Sequence, residues 1–363
     1  MIGQVREIRV ELGSRSYLVR VGRGILPAIG ALTRELCPAP TAAVITDSNV
    51  GPLYAGPVVA SLERAGYRVR LVTVPAGDAS KSLAQAAILY DEMAAGRIER
   101  GSPLIALGGG MVGDLTGFVA ATWLRGVPFI QCPTTVEADV DASVGGKTGV
   151  NHPAGKNMVG AFYQPRLVLM DVGTLDTLED RDFRAGLAES VKHGAIRDAE
   201  FFAWQERNAD RILAREPEVV AELLARNVQI KAEVVSCDER EAGLRAILNF
   251  GHTIGHAVES LLRYEWRHGE CVAVGMVAAA RLAARRCLMA PSDLERLVSL
   301  LRRLGLPTKV PEHLDVARIV DLTRLDKKVS AGKVRFVLVT GLGRTTIVDD
   351  VTPEEIRAAT DGT

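Results

Sequence analysis

Three of the six histidines in this chain fall in one short stretch, His252-Thr-Ile-Gly-His256 followed by His268-Gly-Glu270. Neutral imidazole is the commonest side-chain ligand for zinc and similar ions, so histidine clustering is a metal-site signal. His252 and His256 are four apart and share one face of a helix. That pair alone reads as readily as a cap or a core lining; a third histidine in a His-Gly-Glu turn moves the reading towards a site. The remaining ligands must come from other elements. Glu189 is a candidate, because zinc accepts carboxylate oxygen beside imidazole. It lies in Glu189-Ser-Val-Lys192-His193, where Glu189 and Lys192 are three apart on one helical face.

Two further segments suit anions. Gly108-Gly-Gly110-Met-Val-Gly113 fits G-x-G-x-x-G between a strand and a helix. Glycines there permit a tight turn, and helix N-terminal amides can face a pyrophosphate. The acid expected about 20 residues on is absent. Asp47, closing an earlier strand, is an alternative ribose partner. The plainer reading is a turn that needs glycine for positive φ. The second segment runs Asp141-Ala-Ser-Val-Gly-Gly-Lys147-Thr, then Asn151 and Gly155-Lys156-Asn157. Lysine is a compact positive charge, and glycine lets backbone amides approach a phosphate. Asp141 stands where a P-loop has its first glycine, which excludes a P-loop NTPase. Lys231 and Asp238-Glu-Arg-Glu241-Ala-Gly-Leu-Arg245, just before Asn249, place more charge beside the histidines. Charged helices are usually solvated faces; their adjacency to the cluster is what singles these out.

The elements that must position these residues follow two periodicities. In the first half, strands (41–46, 67–74, 103–107, 128–133, 167–171) alternate with helices (53–65, 82–95) closed by Gly66 and Gly96. This alternation implies a mostly parallel sheet covered on both faces. From about Phe183 the apolar spacing becomes helical, as in Leu294, Leu297, Val298, Leu301 and Leu304, ending at Gly305. An alternating run at 333–340 reads as a late strand or hairpin. The expected organisation is an α/β nucleotide-binding domain over 1–176 and a mainly α-helical metal- and substrate-binding domain over 177–363.

Composition narrows the function classes. Forty-four Lys and Arg balance 44 Asp and Glu, and no basic block points to nucleic acid or an anionic membrane. The longest apolar run, Cys271–Ala280, is too short to span a bilayer. The N-terminal segment reads as a strand and lacks the apolar core of a signal peptide. Five scattered cysteines without a CxxC pair suggest reduced thiols, hence a cytoplasmic location.

Taken in order, these segments resemble the 3-dehydroquinate synthase family of sugar phosphate cyclases. The resemblance runs from Arg15-Ser-Tyr17 to Asp326-Lys-Lys328 and covers nearly the whole chain. Its most specific parts are Arg125-Gly with Pro133-Thr-Thr135, Asp141 through Lys147 to Asn151, Gly155-Lys-Asn157, Ala188-Glu189-x-x-Lys192, Glu241-x-Gly-Leu-Arg245, and Asn249-Phe-Gly-His252-Thr-Ile-Gly-His256 with His268-Gly-Glu270. The resemblance implies a Rossmann-like N-terminal domain, a helical C-terminal domain and an active site in the cleft between them. It implies NAD, one divalent metal (zinc or cobalt) and a homodimer. The implied reaction converts 3-deoxy-D-arabino-heptulosonate 7-phosphate to 3-dehydroquinate and phosphate in the shikimate pathway. It proceeds by transient oxidation, phosphate elimination, re-reduction, ring opening and aldol closure.

Carried over position by position, the implied metal ligands are Glu189, His252 and His268, which moves His256 to the substrate side. The implied substrate residues are Asp141, Lys147, Arg125, Lys156, Asn157, Lys192, Lys231, Glu241, Arg245, Asn249, His256, Lys327 and Lys328. The implied NAD residues are Asp47, Asn49, Asp78, Lys81, Gly108, Gly109, Gly110, Asp114, Thr134 and Thr135, with Lys147 and Lys156 nearby. The chain departs from the family at Glu137 and Asp139, where apolar or neutral residues are usual, at Asp78, where glutamate is usual, and at Ala142, where serine is common. Rival readings are another sugar phosphate cyclase, a metal-dependent polyol dehydrogenase, which would accumulate NADH, and a non-catalytic NAD-binding regulator, which would lack part of this residue set.

Overall fold

The computed structural model describes residues 4–263, 265–325, 329–330 and 333–360. The chain forms two units, Met1–Leu178 with Val220–Ser236, and Glu179–Val219 with Cys237–Thr363.

In the first unit the strands are β1 (Arg6–Val10), β2 (Tyr17–Gly22), β3 (Thr41–Asp47), β4 (Arg68–Val74), β5 (Leu104–Gly108), β6 (Phe129–Pro133), β7 (Lys147–His152), β8 (Gly155–Phe162) and β9 (Leu167–Asp171). Seven of them make one sheet in the order β1-β2-β9-β6-β5-β3-β4. The β1–β2 pair is antiparallel, and the other pairs in this sheet are parallel. Every residue of β3, β5, β6 and β9 is buried, as strands covered on both faces must be. Side chains alternate between two apolar layers. Ala43, Ile45, Leu104 and Ala106 join Leu89 and Met93 of α3 (Leu83–Ala95) and Leu115 and Val119 of α4 (Gly110–Thr122). Ala42, Val44, Ile105 and Leu107 join Ile29 of α1 (Ile29–Leu36) and Val58 and Leu62 of α2 (Gly56–Arg64). Each buried Val, Leu, Ile or Met side chain among these contributes about 1.5–3 kcal/mol by leaving water.

After β4 the chain crosses to the other side of β3 to form β5. This reversal of strand order opens a crevice at the carboxyl ends of β3 and β5, the place where open α/β sheets bind ligands.

The glycine-rich centre differs from a simple anion-binding loop. After a π-helical turn, Ala138–Ala142, it forms an antiparallel hairpin of β7 and β8. Glycine has a packing reason here. A Cβ on Gly149 would lie 2.7 Å from the Val159 carbonyl oxygen, and one on Gly160 would overlap the Thr148 carbonyl oxygen.

The helix α7 (Pro217–Cys237) returns to the first unit over residues 220–236, a return that a single boundary at 176/177 does not include. Its tethers there are polar: Arg6 pairs with Glu222 at 3.4 Å, Ser236 Oγ accepts from Glu11 N at 3.2 Å, and Lys231 binds Asp141. Lys231 therefore belongs to the sheet-containing unit.

The second unit holds α5 (Asp180–Arg197), α6 (Ala199–Leu213), α8 (His252–Leu261), α9 (His268–Arg285), α10 (Pro291–Arg303), α11 (Val316–Leu325), α12 (Pro353–Thr360) and a hairpin of Phe336–Gly341 with Arg344–Val348. The Cys271–Ala280 run is the buried middle of α9. No described helix is long and apolar enough to cross a membrane. The helices α8 and α9 approach through glycine: Gly251 adopts φ +80°, and a Cβ on Gly275 would overlap the Gly251 carbonyl oxygen. His268 is the first residue of α9, where the sequence reading has it in a turn.

Candidate metal and nucleotide sites

The second unit brings Glu189 of α5, His252 and His256 of α8 and His268 of α9 together. The ring centroids of His252 lie 5.3 Å from those of both His256 and His268, and the latter two are 5.7 Å apart. One nitrogen from each of the three histidines lies within 4.8 Å of the others. Glu189 is fully buried, with Oε1 3.6 Å from His252 Nε2 and 3.8 Å from His268 Nε2.

Hydrogen bonding fixes what these nitrogens offer. His252 Nδ1 lies 3.1 Å from the Phe250 carbonyl oxygen, and His268 Nδ1 lies 3.2 Å from Glu259 Oε2. Carbonyl and carboxylate oxygens only accept, so each Nδ1 carries a proton, and the neutral form of either ring presents its lone pair at Nε2. Glu189 Oε1 receives no hydrogen bond. Two imidazole nitrogens and an unsatisfied carboxylate oxygen face one another, with Glu189 fully buried and His268 partly exposed. A cation satisfies all three, and this O,N,N set suits zinc or cobalt. The other Glu189 oxygen pairs with Lys192, one turn along α5 and equally buried, so neither charge lacks a counter-charge.

Just upstream, Asp238 organises the loop to Arg245. Its carboxylate accepts from the amides of Ala242 (2.8 Å), Gly243 (2.7 Å) and Arg245 (2.9 Å). Burial pushes its carboxyl up, but these amides and the Arg245 charge win and hold it below the ordinary range. Arg245 is buried and Glu241 has φ +59°. Glu241 Oε1 accepts from Asn249 Nδ2 at 2.6 Å, which orients the amide. The sequence reading names Asp238 only as part of a charged run and gives it no role; its signal is an acid followed by a glycine-containing turn that leads into a buried arginine.

In the first unit the Gly108–Gly110 turn ends β5 and opens α4, whose N-cap residue Gly109 supplies no side-chain hydrogen bond. The first amides of α4 are therefore available to an anion. A Cβ on Gly108 would lie 2.7 Å from Val112 Cγ2, and one on Gly113 would lie 2.6 Å from Gln131 Oε1. Thr134, whose amide donates to the Gly108 carbonyl at 3.1 Å, has a buried hydroxyl without a partner. Asp47, at the end of β3, caps its own turn by accepting from Asn49 N (2.8 Å) and Val50 N (2.9 Å). An open helix N-terminus, an unsatisfied hydroxyl and an acid around one switch point fit a dinucleotide.

Around this crevice Lys81 pairs with Asp114. Burial raises the Asp114 carboxyl above its ordinary value, and Lys81 opposes the rise. Asp78 Oδ2 accepts from Asn151 Nδ2 at 3.0 Å and lies 3.5 Å from Lys156 Nζ. Asn151 Oδ1 in turn accepts from Asn157 N at 3.0 Å, and Asn157 has φ +53°. Asp141 Oδ1 accepts from Lys231 Nζ at 2.5 Å. Lys147 opens β7 and is exposed, and Thr135 takes the Ala138 amide at 3.2 Å. Arg125 is exposed in a turn where Leu124 (φ 49°), Arg125 (φ 69°) and Gly126 (φ 123°) are all left-handed. Lys327 and Lys328 lie outside the described residues.

The family model for the N-terminal part of 3-dehydroquinate synthase matches residues 71–185, and that for the C-terminal part matches 186–329. A 3-dehydroquinate synthase of Symbiobacterium thermophilum is 51% identical over 350 residues, covering 96% of this chain and 98% of the relative. Among solved structures, the 2-epi-5-epi-valiolone synthase ValA from Streptomyces hygroscopicus, with NAD+ and Zn2+ bound, is 31% identical with a TM-score of 0.88, covering 96% of each chain. A 2-deoxy-scyllo-inosose synthase complexed with carbaglucose-6-phosphate, NAD+ and Co2+ is 25% identical with a TM-score of 0.90, covering 99% of this chain and 100% of the other. With both family models matched in order and half the residues shared with a named relative along almost its whole length, the chain belongs to the 3-dehydroquinate synthase family.

Proposed function

We infer that the chain carries out its family's reaction as a phosphate-eliminating carbon–oxygen lyase, forming 3-dehydroquinate and phosphate from 3-deoxy-D-arabino-heptulosonate 7-phosphate. The observation that carries the reading is the convergence of Glu189 Oε1, His252 Nε2 and His268 Nε2 in a chain 51% identical to a named 3-dehydroquinate synthase. The sugar phosphate cyclases of other specificity compared above share 31% and 25%.

When bound, NAD supplies a reversible hydride acceptor and the divalent ion a Lewis acid at the carbinol oxygen. Glu189, His252 and His268 would hold the ion. The α4 N-terminus at Gly108–Gly110, with Thr134, Thr135, Asp47, Asn49, Asp78, Lys81 and Asp114, would hold the dinucleotide. The substrate carries a carboxylate and a phosphate, so its recognition needs cations. Lys192, Arg245, Arg125, Lys147, Lys156 and Lys231 would supply them. Lys327 and Lys328 are assigned the same role from the family motif. Asn249 has one amide hydrogen committed to Glu241, which presents its oxygen to a substrate hydroxyl. Asp141 with Lys231, Asn157 and His256 completes the polar groups that would fix the conformer for ring closure, a step that needs little beyond orientation.

The deciding experiment is phosphate release from the heptulosonate phosphate, with NADH absorbance followed before and after chelation. Phosphate and dehydroquinate without net NADH, abolished by chelation, is the expected result. Net NADH from a polyol would favour the dehydrogenase reading. No turnover by folded, metal-loaded, NAD-saturated protein would remove the assignment. A cytoplasmic homodimer belongs to the same proposal, and light scattering should give twice the chain mass of 38.9 kDa.

A further inference from the structure

We infer that Glu259 is a positioning residue for the metal centre: it holds His268 as the Nδ1–H tautomer and aims the Nε2 lone pair at Glu189. The inference rests on the proposed ligand set of Glu189, His252 and His268. Glu259 is only 6% exposed, and a carboxylate is seldom buried without a polar task. Its Oε2 lies 3.2 Å from His268 Nδ1. On α8, Glu259 stands seven residues after His252 and three after His256, so all three project from one helical face.

The two imidazoles solve the same problem differently. His252 is oriented by a backbone acceptor, the Phe250 carbonyl, which comes with the fold. His268, like His252, is the first residue of its helix, but the acceptor at its Nδ1 is a side chain. The nearer acid in sequence, Glu270, is engaged elsewhere. It accepts two hydrogen bonds from Arg181 at 2.8 Å and one from Arg267 N at 2.8 Å. Glu259 fills the role from the neighbouring helix. A carboxylate on the far nitrogen fixes the ring and raises its basicity as a ligand, and losing such a partner typically weakens metal binding about 10–100-fold.

The test compares Glu259→Ala, Glu259→Gln and His268→Ala with the parent by zinc affinity in chelator competition and by the visible spectrum of the cobalt-loaded protein. NAD affinity and the melting temperature of the metal-free protein serve as folding controls. Expected are a zinc affinity about 10–100-fold weaker for Glu259→Ala, a smaller loss for Glu259→Gln, whose amide oxygen still accepts but carries no charge, and a shifted cobalt spectrum. Should Glu259→Ala fail to fold, Glu259→Gln decides alone. Parent-like zinc affinity and cobalt spectrum in the Glu259 variants, with affinity lost in His268→Ala, would overturn the positioning role and leave the ligand set standing. Parent-like affinity in His268→Ala would overturn the ligand set and the inference with it.

Discussion

Asp139 illustrates how one residue can oppose its surroundings. It is 2% exposed, and its Oδ1 has no hydrogen-bond partner. Burial, helped by the nearby Asp171 charge, raises its carboxyl well above the ordinary carboxylate range. The folded chain therefore keeps a proton that the unfolded chain releases near pH 4. The sign follows from linkage: the penalty is present above the unfolded pKa and vanishes as pH falls to it. Asp139→Asn should stabilise the protein at neutral pH by about 1–3 kcal/mol, with the gain gone near pH 4, as read from urea unfolding across that range. A gain independent of pH would mean that packing, not ionisation, is responsible. Asp238 makes the opposite case, a carboxylate fully used by three amides. Asp238→Ala should release the loop that carries Glu241 and Arg245 and lower kcat/KM by about 10–100-fold, because small misplacements of binding groups are expensive. Zinc affinity, measured in parallel, should stay at the parent value.

At the scale of elements, the metal ligands depend on how closely α8 and α9 approach. Glycine at 251, 255 and 275 leaves room for one backbone against the other. Gly275→Ala must push the helices apart, since its Cβ would meet the Gly251 carbonyl oxygen, which cannot rotate away. The expected destabilisation is about 1–3 kcal/mol or more, with weaker zinc binding because His252 and His268 sit on the two separated helices. A variant with parent stability and parent zinc affinity would show that the approach is not what sets the site. In the first unit, the uncapped start of α4 has the same standing: the glycines that keep it open also let α4 pack close to β5 and β6.

Across the whole molecule, the proposed metal ligands all lie in the second unit, and the glycine turn and switch point in the first. Each ligand should therefore stabilise by mass action the unit that binds it, by about 2.7 kcal/mol at a hundredfold excess over Kd. Hydrogen exchange read by mass spectrometry should show zinc protecting peptides around 189, 252 and 268. NAD should protect peptides around 47, 108–114 and 134. Zinc protection confined to the 108–114 region would contradict the ligand set. Lys231 warns against assigning residues by position along the chain. It falls amid helices in sequence, yet its segment joins the sheet-containing unit, where it binds Asp141.

The sequence by itself determined the periodic elements and the chemical types. The mostly apolar strands 41–46, 103–107 and 167–171, the glycine caps at 66, 96 and 305, and the i,i+4 histidines are local patterns, legible because strand and helix periods are written in neighbouring residues. The ordered motifs likewise carried the family. Only the tertiary structure decided the rest, because it depends on which distant backbones meet. That Glu189 faces His252 and His268 comes from the packing of α5, α8 and α9. That Glu259, not Glu270, serves His268 follows from Arg181 already holding the nearer acid. That the glycines of 145–160 build a hairpin, and that α7 returns to the first unit, rests on close backbone approach and long-range pairing with no local signature.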